Sequence, residues 1–317
     1  MLSYEHQLIG FALNVITVSE ITVAYLLSLI IIIIMIYNFI RNRIKRQDKT
    51  ILILSLNIYL CSLIYMSVFF VLNILTIIGD IYRKEFDSPW CILLGYIYAA
   101  TLCVLYISFI NQAFFRLCRI IYSQYKYLLY SSLYIIIFPI EVILAFILAC
   151  PIYILNNIIY LPNYHFCFVP ISDIRAYLWI FFTVYGIPVL SILLIYWRIT
   201  VFIRKQSNQT LKIRRRQTRD LKAIRGILII VSFMILFGLP TSFLIVMMLI
   251  TGEEHPLTFR ITCISIGTSM VGLNIAMMFF VPQLKNMVWK TFKTKREVTV
   301  NSNQTSSLQM RSGSSIE

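Results

Sequence analysis

A chain with seven long apolar runs has few ways to fold. The runs lie at approximately 21–40, 51–78, 90–115, 128–150, 177–203, 223–250 and 257–281. A helix of about 20 residues crosses a hydrocarbon core of about 30 Å, so each run is a candidate span. The expected fold is an all-α membrane protein, a seven-transmembrane helix bundle over 21–281 preceded by an extracellular segment 1–20. Ile30 to Ile34 are β-branched on every face and are expected to meet lipid. A composition of 59% hydrophobic and 13% charged residues agrees with a membrane chain. The first residues lack a basic n-region, so no signal peptide is expected.

Charge supplies the expected orientation. Arg41, Arg43, Lys45, Arg46 and Lys49 follow the first run, and Arg116, Arg119 and Lys126 follow the third. Ten more basic residues lie between Arg198 and Arg225, and six follow Pro282, so 24 of the 28 lysines and arginines share one side. Arg83, Lys84, Arg175 and Arg260 fall on the other, among Asp80, Glu85, Asp87, Asp173, Glu253 and Glu254. Short basic loops stay cytoplasmic, so the N-terminus is expected outside and the C-terminus inside. The net charge of +15 follows topology in this way and implies no nucleic-acid partner. The sequons at Asn208 and Asn303 fall on the inner side and are expected to carry no glycan. No zinc spacing, P-loop or glycine-rich nucleotide fingerprint occurs, so neither an enzyme nor a cofactor is expected.

The third run is marked at both ends. From Cys91 to Arg116 is 25 positions, about 37 Å as a helix. At about 100° per residue, Cys91, Gly95, Tyr98, Leu102, Leu105, Phe109, Gln112 and Arg116 form one stripe. A cysteine at one water boundary and an arginine at the other, on one inward stripe, suggest a receptor. Cys167 lies in the expected outer loop 151–176, and the outside is oxidising, so a bridge to Cys91 is chemically allowed. The alternative is two unpaired thiols at an interface.

Further spacings extend the pattern. Tyr196 follows Pro188 by eight residues, and Asp220 precedes Pro240 by twenty. Leu56-Asn57, Ser108, and Leu273-Asn274 followed by Pro282-Gln283-Leu284-Lys285 fall in matching register on other runs. Together with the Cys91-to-Arg116 distance, these make the chain resemble a rhodopsin-like (class A) G-protein-coupled receptor over nearly its whole length. Departures mark it as a divergent member. Phe115 and Leu117 replace the acid and tyrosine that flank the family's arginine, and Asn274-Ile275-Ala276-Met277-Met278 replaces Asn-Pro-x-x-Tyr. Phe237-Gly238-Leu239-Pro240 replaces Cys-Trp-x-Pro, and Ser62 stands at the position of the family's second-helix aspartate.

The resemblance implies a set of switch residues. Arg116 would line the inner cavity where a heterotrimeric G protein docks; the plainer reading is an arginine that snorkels to the interface. Tyr196 would swing toward Arg116, or would simply pack at the interface. Pro188 and Pro240 would kink their helices and give the sixth a lever, with Asn274 in the seventh completing the set. Asp220 would pair with Arg116, or else with Arg216 beside it. Two unit charges at about 4 Å attract by about 4 kcal/mol at an effective dielectric near 20. In exposed surroundings the net value falls to about 1 kcal/mol or less. Glu141, ionisable within the fourth run, is expected to face the interior with Asn57 and Ser108 as partners.

Register suggests an outer pocket of Tyr98, Leu102, Thr241, Ser242, Ile264 and Thr268, open to an extracellular ligand of unknown chemistry; plain helix contacts would use the same residues. The third-run stripe has no outer carboxylate and the seventh run no lysine, so amine and retinal ligands are not expected. Residues 282–296 read as an amphipathic surface helix with Leu284, Val288 and Phe292 on its apolar face. Residues 297–317 read as a disordered cytoplasmic tail. The expected site of action is the plasma membrane. Three other readings are weighed: a chemosensory receptor or channel, a transporter, and a decoy receptor that has lost signalling. The first lacks polar residues along several spans, and the second lacks a repeat.

Overall fold

The computed structural model describes residues 4–41, 46–122, 124–205 and 257–281, and single positions or short stretches within 232–252 and 284–289. Six helices are long and apolar enough to cross a membrane. They are α1 (Tyr4–Ile40), α2 (Arg46–Tyr82), α3 (Pro89–Ile120), α4 (Ser131–Ile154), α5 (Ile174–Lys205) and α7 (Thr258–Phe280). A shorter apolar helical stretch, α6 (Gly238–Met248), lies within the expected sixth span, most of which is outside the described residues.

Local chemistry sets several helix ends. At α3 the Ser88 side chain accepts from the Cys91 amide at 3.3 Å, and Pro89 occupies the first turn, where its missing N–H costs nothing. At α5 the Asp173 carboxylate caps the Ala176 amide at 3.4 Å and is held by the Asn157 side chain at 3.0 Å. Within α5 the turn Phe181–Gly186 is wound as a π-helix just before Pro188. Proline offers no N–H to the carbonyl four residues back, and the wider turn absorbs that gap.

One expected boundary moves, and one expected face is divided. α1 begins at Tyr4, so much of the stretch expected to precede the first span is helix. The Ile30–Ile34 run is also divided: Ile30 and Ile33 are exposed, whereas Ile31 and Ile32 are buried in the core. β-Branching fits lipid and core contact equally, so composition could not assign faces.

α3 runs through the middle, against α2, α4 and α5. Its expected inward stripe is buried throughout except at Leu102, which is half-buried. Above one end lies a hairpin, β1 (Ile159–Leu161) and β2 (Phe166–Phe168), paired antiparallel with Tyr160 opposite Cys167. The disulfide Cys91–Cys167 fastens β2 to the start of α3. Gly95 permits this docking, because a β-carbon there would run into the Cys167 carbonyl oxygen. Near the other end of the bundle, Asn274 of α7 accepts from Ser28 of α1 at 2.8 Å, and its backbone carbonyl accepts from Tyr59 of α2 at 3.2 Å. Three helices are thereby pinned by polar groups that lipid could not satisfy.

Candidate functional site

At the disulfide end, α2, α3, α5, α6, α7 and the hairpin enclose a cavity of about 200 Å³. Its wall is mainly aromatic and aliphatic. Tyr98 stacks on Tyr65 and Phe69, with ring centres 5.4 and 5.6 Å away, and meets Phe168 of β2 edge-on at 5.5 Å. Tyr106 meets Tyr185 of α5 edge-on at 5.9 Å. The Tyr65 hydroxyl donates to the Tyr98 hydroxyl at 3.0 Å.

Three of the six expected pocket residues, Tyr98, Leu102 and Ser242, line this cavity. Thr241 lies outside the described residues. Ile264 and Thr268 are not among the residues that line it; on α7 the wall is formed by Cys263, Ile266 and Met270 among others. A shift of one residue turns a side chain by about 100°, so small errors of phase change the face. Thr268 is engaged elsewhere, donating to Glu20 of α1 at 2.9 Å.

The cavity's charged rim escaped the sequence reading. Arg260, at the start of α7, binds Asp80 of α2 through two bonds of 2.8 Å and donates to the Asn163 carbonyl at 3.4 Å. Asn14 of α1 donates to the same carboxylate at 3.3 Å. His165, in the hairpin turn, lies 3.8 Å from Asp80, and its other ring nitrogen is 3.2 Å from the Tyr160 hydroxyl. Arg260 is 6% exposed and Asp80 16%. Burial holds the His165 imidazole below its ordinary value, which the Asp80 carboxylate opposes. A signal was present in the sequence: both charges sit at ends of apolar runs on one side.

The opposite end of α3 carries Arg116, 7% exposed, and Tyr196 of α5, 1% exposed. The guanidinium lies within electrostatic reach of the phenol. The Tyr196 hydroxyl has no hydrogen-bond partner among the described residues. Phe115 meets Tyr134 of α4 edge-on at 5.0 Å, so the position beside Arg116 is filled by aromatic packing. Gln112 donates to Ser55 of α2 at 3.3 Å. Pro240 is exposed on α6, and Asp220 lies outside the described residues. Leu284 and Val288 are buried, and Phe292 lies outside the described residues.

Glu141 is 5% exposed within α4, where Ser108 donates to it at 3.1 Å. Asn111, one turn along α3, is the other polar group close to the carboxylate, where register suggested Asn57. Helices crossing at an angle bring together positions that simple depth-matching does not. No family model matches this chain, and no curated protein does so either.

Proposed function

We propose that the chain is a seven-helix, rhodopsin-like G-protein-coupled receptor of the plasma membrane, with its N-terminus outside and C-terminus inside. One observation carries the reading. A single buried stripe of α3 holds a disulfide to the hairpin at one end and Arg116, beside Tyr196, at the other. The first end borders a cavity that an extracellular ligand could enter. The second is where a G protein would meet the bundle once the inner half of the sixth helix swings away. An Arg116–Asp220 contact worth about 1 kcal/mol would bias such a switch by about fivefold.

Phe115 supports a second reading, a receptor without G-protein signalling, because it replaces the acid that would neighbour Arg116. Nucleotide exchange on a purified heterotrimeric G protein separates the two. The expected result is basal exchange in wild type, less in Arg116→Ala and more in Asp220→Ala at matched expression. Silence in all three removes the basal-activity expectation and favours the second reading.

A further inference from the structure

Several hydroxyls on the wall of the cavity at the disulfide end have a hydrogen-bonding sense set by their partners. Thr76, Thr262, Ser242, Ser265 and Ser269 all donate their hydroxyl protons to carbonyls of their own helices, at 2.7 to 3.0 Å. Those protons are not offered inward. Tyr98 differs. Its oxygen receives the Tyr65 proton, which leaves its own proton to be donated, and its ring is held by stacking on Tyr65 and Phe69 and by the edge-on contact with Phe168. A preset donor facing an apolar space selects an acceptor, because an occupant without one leaves the donor unpaired.

Charge is decided at the rim. Arg260 is the one formally charged residue on the wall among the described residues. Its charge is already answered by the bidentate Asp80 carboxylate. An anion placed there would attract Arg260 and repel Asp80 at similar distances. A cation would find no carboxylate on the wall among the described residues. The volume of about 200 Å³ suits a compact, two-ring hydrophobic molecule.

We infer that the cavity binds an uncharged, compact lipophilic ligand whose hydrogen-bond acceptor is held by the Tyr98 hydroxyl, within a wall that the Asp80–Arg260 pair keeps electrically neutral. This rests on the receptor reading and names the ligand class for it. The test uses the full chain in nanodiscs and equilibrium dialysis, corrected for uptake by empty discs. Four probes of similar shape are compared: 2-acetylnaphthalene, 2-isopropylnaphthalene, 2-naphthoate and 2-naphthylmethylammonium. Wild type is expected to bind the ketone about fivefold tighter than the hydrocarbon and more tightly than either ion. Tyr98→Phe should abolish the preference for ketone over hydrocarbon while retaining hydrocarbon binding, which shows an intact cavity. Asp80→Asn should shift the preference toward naphthoate.

The inference is overturned if naphthoate or the ammonium binds wild type best, if ketone and hydrocarbon bind equally, or if no probe binds above empty discs. It is also overturned if Tyr98→Phe keeps the ketone preference. Nucleotide exchange in the same discs reports separately on the receptor reading. Basal exchange that depends on Arg116 sustains that reading even when every probe fails.

Discussion

Asp80→Asn removes one member of a buried ion pair and leaves the other in place. Arg260 would keep its charge at 6% exposure, with no other carboxylate among the described residues paired to it. Breaking a buried pair in this way costs about 3–5 kcal/mol, because the stranded charge keeps its desolvation penalty. Asp80 retains 16% exposure, so some water reaches the site and the lower end, about 3 kcal/mol, is expected. The asparagine oxygen can still accept one of the two 2.8 Å bonds, which limits the loss further. Equilibrium unfolding of the purified chain in mixed micelles measures the change. A companion variant, Asp80→Leu with Arg260→Met, removes both charges and is expected to stay within about 1 kcal/mol of wild type. The reasoning fails if Asp80→Asn costs less than about 1 kcal/mol, the range of a solvent-exposed pair. It also fails if the double variant is as unstable as the single one.

Other perturbations address neighbouring parts of the same end. Cys167→Ser opens a loop of sequence separation 76 and should lower stability by about 2–4 kcal/mol; reductant should weaken wild type but leave the variant unchanged. Gly95→Leu pushes a side chain into the Cys167 carbonyl and should cost about 1–3 kcal/mol, read in the same unfolding assay and absent at the neighbouring Leu94 changed to Ile. His165 has a folded-state value below its ordinary 6.5, so acid favours the unfolded chain, which binds the proton more readily. Stability should therefore fall as pH drops below about 6.5 and stop falling once pH is under the lowered value. His165→Gln should flatten that part of the profile, and an unchanged profile would assign it to other groups.

The central helix was legible because its ends are labelled by residues of unusual cost. An arginine and a cysteine at the boundaries of one apolar run fix length and phase together, and seven of the eight stripe residues are buried accordingly. The disulfide was open to inference on the same grounds, since compartment and loop position left Cys167 as a natural partner. The hairpin that carries Cys167 was not read, although Ile158-Ile159-Tyr160-Leu161 and Phe166-Cys167-Phe168 are strand-forming sequences on either side of a turn.

α7 shows why labels matter more than periodicity. The expected lining positions Ile264 and Thr268 follow from register alone and lie ten and six residues from Asn274. A helix drifts with each small departure from about 100° per residue, so a single anchor loses the facing side within two turns. Glu20 would have supplied the second anchor. A carboxylate inside a membrane helix needs a partner, and Thr268 is the group that donates to it. Placing Glu20 before the first span hid that demand, and with it the face of α7 that turns toward α1. Arg260 would have supplied a third. An arginine at the mouth of an apolar helix, with Asp80 the acid nearest the end of a neighbouring run, marks the side of α7 that borders the cavity. Glu20, Asp80, Glu141 and Arg260 thus mark the faces of α1, α2, α4 and α7 that turn toward partners, while the apolar sequence makes these helices long enough to cross a membrane.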